Sequence, residues 1–207
     1  MTEQSANGRA NQKLRTRTAI VQAAAELSRT GREVTMPEIA KAALVSEATA
    51  YRYFPDLAGL LQEAIAGQLP TPAEALAAVA DSADPVERVG AATEFLLRHV
   101  LARQGVVRAM IASTMTRPGE AAARPGLRVG LIDHALAPLV SGLASGSTEH
   151  AAELEQLRRD LAIVVSAEAL FSLTDLYQVA PEDAIASVVH TATTLTRAFV
   201  QEYVTTR

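Results

Sequence analysis

Between Thr35 and Pro55 the chain begins two helices in quick succession, and that spacing constrains the fold more than any other feature of the sequence. The first start is doubly marked. Thr35 with Glu38 three residues on makes a capping box, and Pro37 lies in the first turn, where a missing N–H costs little. Met36, Ile39, Ala40 and Ala43 then give a short apolar face. Ser46 offers a second N-cap, opening a helix over Glu47 to Phe54 that Pro55 terminates. Two short capped helices are therefore separated by about three residues, a gap too tight for anything but a turn.

Short helix, tight turn and short helix is the spacing of a helix-turn-helix, whose second helix lies in the DNA major groove while the first crosses the backbone. The inward set is Ile39, Ala40, Val45, Ala50 and Phe54, with small Ala40 and Ala43 allowing close approach. Glu47, Ala48, Thr49, Tyr51, Arg52 and Tyr53 are left to share the outward surface of the second helix. Arg52 suits a bidentate pair with guanine, Thr49 a base edge or thymine methyl, and the Tyr51 and Tyr53 hydroxyls suit phosphates. An ordinary pair of core helices, with Tyr51 and Tyr53 packed inward, fits the spacing alone equally well.

Charge is distributed in favour of the DNA reading. The whole chain carries a net charge of -4, which argues against a general polyanion binder. Yet Met1 to Asp56 holds eight basic against six acidic residues, and Arg9, Lys13, Arg15 and Arg17 follow one another with no acid between them. They would form a basic arm at the entrance to a first helix whose stripe is Ile20, Val21, Ala24 and Leu27, ending near Gly31. Lys41 and the Arg15/Arg17 arm would add charge to the flanks of the reading helix.

The rest of the chain also carries helical periodicity, so the expected fold class is all-α: an N-terminal three-helix DNA-binding domain over 1–56, and a larger helical regulatory and dimerisation domain over 57–207. Helices are expected over Leu57 to Gln68, Ala73 to Ala80, Pro85 to Arg103, Val106 to Thr116, Leu127 to Leu143, Glu149 to Tyr177 and Glu182 to Tyr203. The last keeps Ile185, Val188, Val189, Ala192, Leu195, Thr196, Phe199 and Tyr203 on one stripe, which suits a dimer seam, intrachain core, or both. Arg117 to Gly126, with two prolines and two glycines, is the best loop candidate. With no cysteine there is no disulfide or thiolate metal site, and the reducing cytoplasm is the expected location. No secretory signal or bilayer-spanning run is evident, so a soluble protein with no membrane partner is expected.

The stretch from Thr35 to Pro55 resembles the reading head of the tetracycline-repressor (TetR) family, through Ile39 and Ala40, Val45 and Ser46, Thr49, and the run Tyr51, Arg52, Tyr53, Phe54, Pro55. The close likeness covers about the first quarter of the chain. Two departures stand out. Leu44 occupies the turn position where the family usually has Gly, and Asp56, Leu57 and Ala58 stand where a phosphate-binding Lys commonly follows the aromatic run. Phosphate anchoring then rests more on Thr35, Tyr51, Tyr53 and the N-terminal arm. The resemblance implies DNA contacts by Arg15, Arg17, Thr35, Lys41, Ser46, Glu47, Ala48, Thr49, Tyr51, Arg52 and Tyr53 on a palindromic double-stranded operator. It further implies a homodimer and a small-molecule pocket whose filling shifts the fourth helix and releases DNA, with repression as the usual habit.

For that pocket Phe95, His99, Met110, Met115, His134, Phe171 and Tyr177 are candidates, because Met and aromatic side chains shape adaptable apolar cavities and His supplies a polar anchor. Abundant Ala, Leu and Val favour an apolar ligand. No cofactor, metal or catalytic residue is expected. The rivals are an all-helical enzyme using His99, His134, His150 or His190 beside Glu94 or Asp133, and a helical interaction module without DNA contact. No Gly-rich phosphate loop, nucleophile elbow or HExxH run supports the enzyme.

Overall fold

A computed structural model describes residues 2–116, 126–143 and 148–205. Every regular element among them is helical. In chain order these are α1 (Thr2–Ser28), α2 (Met36–Ala42), α3 (Glu47–Tyr53), α4 (Leu57–Ala66), α5 (Pro72–Ala75), α6 (Pro85–Ala102), α7 (Gln104–Thr116), α8 (Leu127–Leu143), α9 (Thr148–Val164), α10 (Ala167–Phe171) and α11 (Pro181–Thr205). A 3-10 turn covers Ala77–Val79 and a π-turn covers Ser172–Leu176. Apart from Gly126, which follows as a turn, the loop expected over Arg117 to Gly126 lies outside the described residues.

Two expectations about the elements are corrected. The basic segment before Ile20 is no separate arm, since α1 is one continuous helix from Thr2 to Ser28. The single helix expected over Glu149 to Tyr177 is interrupted at Val165 and Ser166. Ser166 sits in an extended conformation and its side chain accepts the Ala169 N–H at 3.1 Å, so it caps a new helix instead of continuing the old one.

The chain forms two compact units, one drawn from Met1–Leu69 and Ala102–Pro125, the other from Pro70–Leu101 and Gly126–Arg207. In the first, Ile20 and Ala24 of α1, Ile39 and Ala40 of α2, Ala50 of α3 and Leu60, Leu61 and Ile65 of α4 share one core. Val106 and Met110 of α7 belong to the same core, so this unit draws on chain well beyond Asp56. The contact is close at the backbone. Gly105 donates its N–H to the Gly31 carbonyl at 3.4 Å, and a Cβ at residue 105 would stand 2.2 Å from the Arg32 carbonyl oxygen.

In the second unit α11 packs on α9 and α9 on α8. Of the stripe of the last helix, Ile185, Val188, Ala192 and Thr196 are buried within the chain, and Val189, Leu195 and Phe199 are half-buried. Arg88 of α6 is also buried. Pro138, inside α8, has no N–H to give the His134 carbonyl four residues back, and Arg88 Nη2 donates to that carbonyl at 2.8 Å. Arg88 Nε donates to the Ala135 carbonyl at 3.2 Å, and Nη1 to the Val79 carbonyl at 2.9 Å. One guanidinium thus satisfies the proline break and the end of the 3-10 turn together.

Candidate nucleic-acid interface

Local chemistry fixes both short helices. The Glu38 carboxylate accepts the Thr35 backbone N–H at 3.0 Å and the Thr35 hydroxyl at 2.9 Å. These bonds, the hydroxyl first and the backbone second, hold the Glu38 carboxyl below the ordinary glutamate value. Ser46 accepts the Thr49 N–H at 3.2 Å, and the two hydroxyls lie 2.9 Å apart. Thr49 is therefore tied to its own N-cap while remaining half-buried.

Between the helices, Val45 N–H donates to the Ala40 carbonyl at 3.0 Å and Leu44 N–H to the Lys41 carbonyl at 3.2 Å. That pair of bonds is the Schellman arrangement, which places Leu44 at the position glycine usually fills. Leu44 adopts it, with φ +55° and a side chain 92% exposed. The turn geometry is thus kept, at the steric cost a Cβ carries in the left-handed region.

Burial separates the faces as the periodicity predicts. Ile39, Ala40, Ala50 and Phe54 are buried and Val45 partly so, whereas Glu47, Ala48, Tyr51 and Arg52 are exposed and Tyr53 is half-buried. Tyr51 does not turn into the core. Thr35, Lys41 and Ser46 are exposed as well.

The basic run divides. Arg15 stands exposed, and Arg9's side chain lies outside the described residues. Arg17 is held within the chain: Nη2 donates to Glu63 Oε2 at 2.6 Å, Nη1 pairs with Glu63 Oε1, and the guanidinium carbon lies 5.0 Å from the Phe54 ring centroid. Lys13, counted in the run but not among the expected contacts, joins the site with Gln12. Both line a cleft of about 380 Å³ together with Arg52 and Tyr53 of α3. Only the continuation of α1 toward Thr2 brings these side chains to the reading helix, and the sequence suggested no helix there. Asp56 caps α4 by accepting the Gly59 N–H at 2.8 Å.

The family described as bacterial regulatory proteins, tetR family, matches over residues 20–64, which spans α1 from Ile20 through most of α4. The head belongs to the tetR family. No curated protein and no solved structure matches the chain. A tetR-type head followed by further helices makes this a DNA-binding transcriptional regulator.

The pocket candidates are drawn from both units of the chain. Met110 is buried in the core of the head unit, and Met115, on the same helix, is 78% exposed. Tyr177 is 77% exposed, beside the π-turn. In the second unit Phe95 and His99 stack with ring centroids 6.1 Å apart on α6, both half-buried. Phe171 is buried at the end of α10, and His134 contributes its backbone carbonyl to Arg88. Among the described residues no helix is long and apolar enough to cross a membrane.

Proposed function

We propose that this regulator is a homodimeric repressor that holds a palindromic operator through two copies of α3 and is released by a small apolar molecule. The observation that carries the DNA part is the exposed outer face of α3. Glu47, Ala48, Tyr51 and Arg52 stand clear of a helix whose caps and inner face are fully engaged. A side-chain set with both base-edge and phosphate chemistry, on a helix fixed by its neighbours, is what groove reading requires. Arg15, Thr35, Lys41, Ser46, Thr49 and Tyr53 complete the proposed contacts. Arg17 acts at one remove, by fixing α1 against Glu63 of α4.

Two-fold symmetry follows from the chemistry of specificity, because two heads one helical turn apart multiply the discrimination of each. Ile185, Val188, Ala192 and Thr196 of the α11 stripe are buried within the chain, while Val189, Leu195 and Phe199 are half-buried, so the same stripe and other faces of the long helices supply the proposed seam. Ile163 of α9, 74% exposed, is one apolar point available there. The effector site is assigned to the second unit around Phe95 and His99, where half-buried rings and apolar neighbours fit an apolar molecule with one polar group. Ligand and operator then compete through their differential affinity for the two head spacings.

Fluorescence anisotropy against the protein's own upstream intergenic DNA and a scrambled duplex tests the reading. Tight binding of the first, with two chains or a multiple of two per site, is expected. Equal, weak binding to both would remove it, and loss of binding in Y51A with an unchanged circular dichroism spectrum would place the interface on α3.

A further inference from the structure

We propose that the cleft between α1 and α3 is a clamp for a DNA backbone phosphate, and that Arg52 grips the backbone there instead of reading a guanine edge. The proposal rests on the DNA-binding reading above. Lys13 and Gln12 from α1 face Arg52 and Tyr53 from α3 across about 380 Å³. Lys13 and Arg52 are both exposed, and no carboxylate among the described residues pairs with either. The contrast with Arg17, one turn further along α1, is direct: that cation is already held by Glu63 and Phe54. Two cations without a carboxylate partner among the described residues, beside an amide and a phenol, match the charge and hydrogen-bonding capacity of a phosphate, with arginine supplying a bidentate fork and lysine a point charge.

Position along the helix argues the same way. A recognition helix reads base edges with its N-terminal residues, which here are Glu47, Ala48 and Thr49, whereas Arg52 lies in the last turn of α3. Its guanidinium carbon is 5.7 Å from the Tyr53 ring centroid, and this stacking restricts its rotamers beside the cleft. The start of α4 offers no competing anchor, because Asp56 already accepts the Gly59 N–H and its charge repels phosphate. The clamp fixes the register of the head on the duplex and leaves discrimination to the other end of α3.

The test uses full-length protein, a duplex it selects from a randomised pool, and a scrambled duplex, titrated by anisotropy across a salt series. K13Q and R52Q should each flatten the slope of log K against log[salt] by about one, and weaken both duplexes by the same factor. The preference for the selected duplex should stay within twofold of wild type, and circular dichroism confirms that each variant folds. A tenfold or greater collapse of preference in R52Q, or an unchanged slope in either variant, overturns the clamp. Wild-type protein that binds both duplexes alike would remove the regulator reading, while the slopes of the two variants still decide the clamp.

Discussion

Leu44 adopts a backbone conformation its side chain disfavours, and nearly all of that side chain is in solvent. Glycine would relieve the Cβ clash while losing almost no buried area, so Leu44→Gly is expected to stabilise the head by about 0.5–1 kcal/mol. Leu44→Ala, which keeps the Cβ, should leave stability near wild type; urea denaturation of both variants separates the two effects. The capping carboxylates make a second residue-scale prediction. Glu38 and Glu74 are each held below the ordinary glutamate value by N-cap threonines, Thr35 and Thr71. Because the folded value is the lower one, their contribution is present above the unfolded value of about 4.3 and is lost as pH falls through the folded value. Acid titration of thermal stability should therefore be shallower below that point in E38Q than in wild type, and a matching slope would remove Glu38 from the account. The sequence revealed the Thr35–Glu38 capping box, whereas the Thr71–Glu74 box emerged only with the structure; nor did the sequence show which conformation Leu44 adopts, since that depends on whether the next helix docks.

At the scale of elements, two contacts between distant segments are decisive. Gly105 brings α7 against the backbone that leads out of α1, and an added Cβ would meet the Arg32 carbonyl, its carbon and the Glu33 nitrogen, none of which is a movable side chain. Gly105→Ala is expected to destabilise by about 1–3 kcal/mol, the usual cost of overpacking, measured by chemical denaturation. Arg88 and Pro138 form the other pair. R88M leaves the His134 carbonyl, which Pro138 deprives of its helical donor, without a partner, at roughly 1–3 kcal/mol, whereas the Val79 carbonyl keeps the Ser82 N–H at 3.2 Å. Adding P138A to R88M should recover part of that loss, because residue 138 then has an N–H for the His134 carbonyl. A double-mutant cycle that comes out additive would show that the two do not share this task. Sequence periodicity placed α6 and α8 with nearly their observed limits, but nothing in it joined Arg88 to a proline fifty residues away.

For the whole molecule, the head unit is discontinuous in sequence. Residues 1–69 lack Val106 and Met110, which belong to the same buried core as Ile39 and Leu61. That fragment is expected to lose the cooperative thermal transition of the full chain, seen by circular dichroism, and M110A in the full chain should cost about 2–4 kcal/mol. A sharply melting 1–69 fragment would show that α7 is dispensable. The same distinction divides what was legible from what was not. The amino-acid sequence by itself determined the helical class, the two short capped helices and the burial of Ile39, Ala40, Ala50 and Phe54, because caps, proline positions and a 3.6-residue period act within a few residues. It also supplied the departures at Leu44 and Asp56. Only the tertiary structure decided that Arg17 is held by Glu63, that Lys13 and Arg52 share a cleft, that Ile185, Val188, Ala192 and Thr196 of the α11 stripe are buried within the chain, and that Met110 and Tyr177 lie far apart in burial. Each of those outcomes depends on which surfaces meet across tens of residues, and no local pattern encodes that.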